Sequence, residues 1–201
     1  GIPNIVTAVL GSYRGYDTFG ETTVIFTASV GVLLLLVPLW SVQTPPVSSE
    51  SDPIGKTPQR MSEKAILRIV SKALIPFILL FGFYVQFHGD FGPGGGFQAG
   101  VIFAAGLILY GLIFGLAHLK AAVPPTTVEI CLSIGVLLYG GVGCWSMLEG
   151  GAFLDYHVLD SHDPAHGLHL GLLLIEAGVG LTVASAMTAI FYAFAGRRGR
   201  T

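Results

Sequence analysis

Five stretches of this chain are too long and too apolar to lie on a water-facing surface. Thr22–Trp40 runs 19 residues without an ionisable side chain, and Phe97–Leu119 runs 23 with only His118. Ala73–Phe87 has none, Val128–Leu148 has Glu129 at its entry, and Leu168–Ala195 has a single acid, Glu176. About 20 apolar residues of helix cross the ~30 Å hydrocarbon core of a bilayer. Lipid offers the backbone no hydrogen bonds, so each such segment must be helical. The predicted fold is therefore an all-α integral membrane protein with about five transmembrane helices. The composition agrees. Only 11% of the residues are charged, against about 25% in soluble domains.

The breaks between these runs set the organisation. Residues 1–40 read as an external loop plus one helix, with Ser12–Gly20 a surface loop before it. Ser41–Met61, rich in Ser and Pro, reads as a linker. Residues 62–201 read as a four-helix membrane domain, with Ser62 as an N-cap. Arg68 and Lys72, four apart, share a face and can snorkel to one aqueous boundary. The cations then test the topology. Lys56, Arg60, Lys64, Arg68, Lys72, Lys120, Arg197, Arg198 and Arg200 fall on one side of a five-span chain, and only Arg14 on the other. That nine-to-one split follows the positive-inside rule and places the linker and the C-terminus in the cytoplasm. The chain starts at Gly1 without a basic leader, so no signal peptide is expected.

Between the second and third runs lies His88–Gly100, HGDFGPGGGFQAG. Three consecutive glycines and a proline cannot form a helix interior. The chain must turn sharply here. The stretch lacks the Lys-Ser/Thr ending of a phosphate loop and has no acid about 20 residues on, which argues against nucleotide binding. Gly94, Gly95, Gly96 and Gly100 are predicted packing positions, as is Gly178, where small residues let backbones approach. The turn is expected to dock a neighbouring subunit.

Glu176 is the strongest single signal. A carboxylate within hydrocarbon must face a cavity, a partner or another helix, or be protonated. It is the first candidate for a proton or cation path, followed by His88 and Asp90 at the outer turn, by Asp17 in the Ser12–Gly20 loop and by Glu21 at the N-terminus of the first span. Arg14, Asp17 and Glu21 suggest a small external charge network. His162, His166 and His169 have a spacing that would share a helical face. They are weak metal-ligand candidates, because Asp163–Pro164 and Gly167 interrupt regularity, and no metal site is expected. Cys131 and Cys144 lie ~20 Å apart along one helix and read as packing residues. No Ser–His–Asp or paired-carboxylate arrangement emerges, so no enzyme activity is expected. No cofactor and no nucleic-acid partner are expected either.

These residues carry a family resemblance. LGSYRGYDTFGETTVIFTASVGVLLL (10–35) resembles the E-type subunit of membrane-bound hydrogenase-related complexes and the end of the large A subunit of Mrp-type antiporters. The segment from about 65 to 196, centred on GPGGGFQAGVIFAAGLILYGL (92–112), resembles the B subunit of those antiporters, the MnhB family. LIEAGVGLTVASAMTAIFYAF (174–194) is similar to that family's last helix. The resemblance implies an accessory subunit of a multisubunit Na⁺/H⁺ antiporter in a prokaryotic cell membrane. Its partners would be other integral membrane subunits, membrane lipid, H⁺ and Na⁺. The large subunits of such assemblies hold the ion-translocating lysines and glutamates, and small subunits pack beside them. Two adjacent family segments joined in one chain suggest a fusion. The alternatives are a membrane-arm subunit of an energy-converting, hydrogenase-type respiratory complex and a purely structural scaffold.

Overall fold

The computed structural model describes residues 4–36, 65–89 and 91–198. The linker, Asp90, Ser62, Lys56, Arg60, Lys64 and Arg200 lie outside them. Among the described residues seven helices follow one another: α1 (Ile5–Thr7, continuing as a π-helical turn over Ala8–Tyr13), α2 (Gly15–Leu36), α3 (Ala65–His88), α4 (Gly96–Phe114), α5 (Leu116–Ala122), α6 (Pro125–Leu148) and α7 (Pro164–Arg198). A 3-10 turn at Tyr156–Leu159 precedes α7. Five of them, α2, α3, α4, α6 and α7, are long and apolar enough to cross a membrane. No strand occurs among the described residues.

The longest helix, α7, is the hub. It packs against α2, α4, α6 and the 3-10 turn, whereas α3 packs mainly on α4. Lipid supplies no hydrophobic force between helices, so close backbone contact must hold them together. Small residues provide it here. A methyl group added at Gly100 would lie 2.7 Å from the Gly180 carbonyl oxygen. One added at Gly96 would collide with the carbonyl oxygen of Glu176. The α6–α7 contact is reciprocal: a methyl at Gly135 would lie 2.6 Å from the Gly178 oxygen, and one at Gly178 would lie 2.7 Å from the Gly135 oxygen. Gly96, Gly100 and Gly178 thus make their close approach within this chain. Within this chain the glycine turn docks on α7.

Three threonine hydroxyls inside the spans are satisfied by their own helices, whereas Ser29 Oγ on α2 is buried without a partner. Thr22 donates to the Thr18 carbonyl at 2.8 Å, Thr182 to Gly178 at 2.9 Å, and Thr188 to Ala184 at 2.7 Å. That is how polar residues enter a helix facing hydrocarbon at little cost.

Three sequence boundaries move. The loop predicted over Ser12–Gly20 is helical, because the π-helical turn ends at Arg14 and α2 begins at Gly15. Asp17 in the first turn of α2 suits the positive end of the helix dipole. The span predicted as Phe97–Leu119 breaks at Gly115, whose φ of 100° stops α4 and starts α5 in a new direction. The last span begins at Pro164, four residues before the predicted Leu168, because proline is preorganised for the first helical position.

The backbone contacts yield a stability test. Gly100→Ala and Gly135→Ala are each expected to destabilise the full chain by about 1–3 kcal/mol through overpacking. Gly31→Ala, where no atom lies within 4 Å of the added methyl, is expected to leave the melting temperature in detergent unchanged or slightly raised.

Candidate functional site

The turn between α3 and α4 is built around Gly95. Its φ of 130° suits glycine alone. In that conformation its N–H reaches back to the Val85 carbonyl at 3.2 Å, and its own carbonyl accepts from Ala99 at 3.0 Å. The turn thereby closes the end of α3 and opens α4 in a single residue.

Glu176 projects from α7 onto this turn. A methyl group at Gly89 would sit 2.7 Å from its Oε2, and one at Gly95 would sit 3.2 Å from its Oε1. The carboxylate therefore rests between two glycines where any larger residue would displace it. It lies at the N-terminal end of α4, where the helix dipole attracts negative charge. Glu176 is half-buried.

The N-terminal segment clamps the same turn from the other side. Asn4 Nδ2 donates to the carbonyls of Gly89 at 2.7 Å and Gly92 at 2.6 Å. Thr7 Oγ1 donates to the Gly89 carbonyl at 2.7 Å. Two tyrosines anchor the segment itself. Tyr156 donates to the Gly11 carbonyl and Tyr139 to the Gly15 carbonyl, both at 2.8 Å and both buried. Burial, with the Tyr139 phenol beside it, pushes the Tyr156 hydroxyl well above the usual tyrosine range, so it stays a donor.

These elements border a partly open cavity of about 310 Å³. Its polar lining comprises Thr7, Thr18, Glu21, Thr22, Gln98 and Glu176, with the backbone of Gly94–Gly96. Two predicted path residues, Glu21 and Glu176, are brought to one space by helices far apart in sequence. The lining offers carboxylate, hydroxyl and amide oxygens and no imidazole. Such a set can pass a proton or hold a small cation.

The other predicted residues stand elsewhere. His88 does not line the cavity; its ring stacks on Tyr84 with centroids 4.9 Å apart. Asp17 pairs with Arg14, Nη2 to Oδ2 at 2.6 Å, with both side chains more than half exposed. That pair leaves Glu21 to the cavity, so the expected three-residue network reduces to two. Asp90 lies outside the described residues. Cys144 is exposed and Cys131 half-buried. Asn4, Thr7 and Gln98 were not singled out from sequence. The one available signal was Asn4 in a capping position, where it accepts from Val6 N–H at 3.0 Å.

Spanning helices held backbone to backbone, around an acid-lined cavity, define a multi-pass integral membrane protein. A family model described as a domain related to the MnhB subunit of Na⁺/H⁺ antiporters matches residues 66–189. The chain belongs to the MnhB family. A Staphylococcus haemolyticus protein named antiporter subunit mnhB2 is 32% identical over 133 residues, covering 65% of this chain and 94% of that protein. Its Staphylococcus aureus (strain Newman) namesake is 31% identical over 135 residues, covering 66% and 95%. Among solved structures, the Mrp complex of Dietzia sp. DQ12-45-1b shares the fold, with a TM-score of 0.71 and 24% identity. That match covers 96% of this chain but 21% of the Mrp chain, so this chain spans about a fifth of it. A chain of an archaeal membrane-bound sulfane sulfur reductase matches with a TM-score of 0.68 and 27% identity, covering 96% of this chain and 78% of that one.

The histidine-bearing loop caps α7. Asp163 Oδ1 accepts from the N–H groups of Ala165 at 3.0 Å and His166 at 3.3 Å. Asp160 Oδ1 accepts from His162 and Asp163 N–H, and its Oδ2 meets His166 Nδ1 at 2.8 Å. His166 is thus engaged by a carboxylate. Of the other two weak metal candidates, His162 is exposed in the loop and His169 is half-buried on α7. Among the described residues no group of three or more His, Cys, Asp or Glu is placed to hold a metal ion. The His166 contact, then the Asp163 and His162 N–H groups, hold the Asp160 carboxyl below the usual aspartate range. A depressed carboxylate contributes stability above its unfolded pKa of about 3.9 and loses it as the pH falls through the lowered value. Amide protection at residues 162 and 163, the donors to Asp160 Oδ1, is expected to hold between pH 7 and 5 and to decline below about pH 4. Asp160→Asn is expected to reduce that protection already at pH 7, as read by hydrogen exchange corrected for intrinsic rates.

Proposed function

We propose that this chain is an accessory membrane subunit of a multisubunit Na⁺/H⁺ antiporter, and that its acid-lined cavity forms part of the proton or cation path. One observation carries the reading: Glu176 stands against the glycine turn and faces a cavity shared with Glu21. An acid within a membrane span is a functional group by default. The relatives named antiporter subunits support the assembly. So does the apolar face of α3, where Ile66, Phe77 and Leu80 are 80%, 68% and 65% exposed in the isolated chain. Lipid or neighbouring subunits cover that face. The chain does no covalent chemistry. It secures one side of a path whose driving step, proton entry against cation export, is completed by other subunits. The positive-inside split supports an orientation with the linker and C-terminus on the cytoplasmic side of a prokaryotic cell membrane and the cavity on the outer side.

A second reading has its own support. The likeness to the sulfane sulfur reductase chain extends over nearly the whole length, which suits a membrane-arm subunit of a redox complex. Co-purifying iron–sulfur partners would favour that reading, and membrane subunits alone favour the antiporter.

Glu176→Gln and Glu21→Gln, each in the assembled complex, are expected to lower Na⁺/H⁺ exchange in everted vesicles severalfold and to shift its pH profile. Asp17→Asn, in its exposed pair, is expected to leave both unchanged. If Glu176→Gln preserved rate and pH profile at equal complex yield, the acid would be structural.

A further inference from the structure

Away from the acid-lined cavity, at the opposite ends of α3 and α4, lies a second cavity of about 600 Å³. Arg68, Lys72, Ile75, Pro76, Tyr110, Phe114 and His118 line it. Three of these carry nitrogen donors, and none is an acid. Arg68, Lys72 and Pro76 recur every four residues, so helical geometry puts them on one face of α3. The Arg68 guanidinium sits 5.9 Å from the centre of the Phe114 ring, which steadies it without neutralising it.

The break at Gly115 completes the pocket. With φ at 100°, it ends α4 and redirects the chain into α5. Leu119 then folds back, fully buried, over Gly111, where an added methyl would lie 2.7 Å from its Cδ2. That anchor leaves His118 on the cavity side, facing the α3 cations. One and two turns on from Pro76, Leu80 and Phe83 are exposed apolar residues.

We infer that this pocket binds the headgroup of an anionic phospholipid, through Arg68, Lys72 and His118, with its acyl chains lying along α3. The charge arrangement selects this occupant. Cations gathered at a membrane boundary between two spanning helices, with lipid-facing apolar residues directly beneath, match a phosphodiester joined to hydrocarbon. The tyrosine suits the same interface. A soluble phosphate would find the charges but not the apolar floor. The site is independent of which ion the assembly transports.

The test is lipid retention by the full chain, purified in its complex and measured by native mass spectrometry and by titration with phosphatidylglycerol. Removing each cation is expected to weaken binding roughly fivefold, so Arg68→Gln/Lys72→Gln should lose most bound anionic lipid. Arg68→Lys/Lys72→Arg should retain it. Lys120→Gln, which removes a charge from the same boundary outside the pocket, should behave as the unaltered chain. Phosphatidylcholine and inorganic phosphate should not compete. Equal retention by the double variant, equal binding of phosphatidylcholine, or a cross-link from position 72 to a carboxylate of a neighbouring subunit would each overturn the assignment. Helicity and complex yield distinguish a misfolded variant, and the charge-preserving exchange then decides.

Discussion

Everything in this molecule depends on the direct contact of peptide backbones between α4 and α7. Gly96 and Gly100 on one helix meet Glu176, Gly180 and Val183 on the other with no space for a β-carbon. In hydrocarbon, dispersion and local dipoles must do what hydrophobic burial does in water. They act only at short range. The Gly135–Gly178 contact repeats the device on the α6 side of α7. The result is a three-helix core around one long helix, with α2 and α3 laid against it.

That approach also makes the site. Because α4 begins against the backbone of Glu176, the glycine turn has nowhere to go but around its carboxylate. A looser contact, with larger residues at 89, 95 or 96, would push the acid out toward lipid. The packing and the chemistry are therefore the same contact seen from two sides. The N-terminal segment adds the last wall. Asn4 and Thr7 take up the free carbonyls of the turn, and the tyrosines of α6 and the outer loop hold the segment in place. Glu21 enters the cavity only because α2 starts early, at Gly15, and so carries its first turns past the glycine turn.

Much of the fold was legible. The number and order of spans followed from uncharged runs, since a buried charge in lipid is costly wherever the chain goes. Helix ends were less legible. Gly115 and Pro164 are local signals, but whether a glycine breaks a helix depends on what the following residues can bury, here Leu119 over Gly111. Within the loop predicted before α2, the Thr18 hydroxyl donates to the Leu10 carbonyl of the preceding π-helical turn, a contact that polarity alone does not reveal. In the site, Glu176 stood out as an isolated acid. Its partner Glu21, one of several outer acids, gained its place from packing.

The sequence by itself determined that the chain crosses the membrane about five times, that it turns sharply at His88–Gly100, and that Glu176 must be sheltered. Those conclusions rest on one-body costs, the burial of charge and the strain of glycine and proline. Only the tertiary structure decided that the glycines face α7, that Glu21 rather than Asp17 or His88 shares the cavity with Glu176, and that the N-terminal segment clamps the turn. Those are pairwise facts. They depend on which helices come within a few ångströms of each other, and spacing along a single chain does not contain that information.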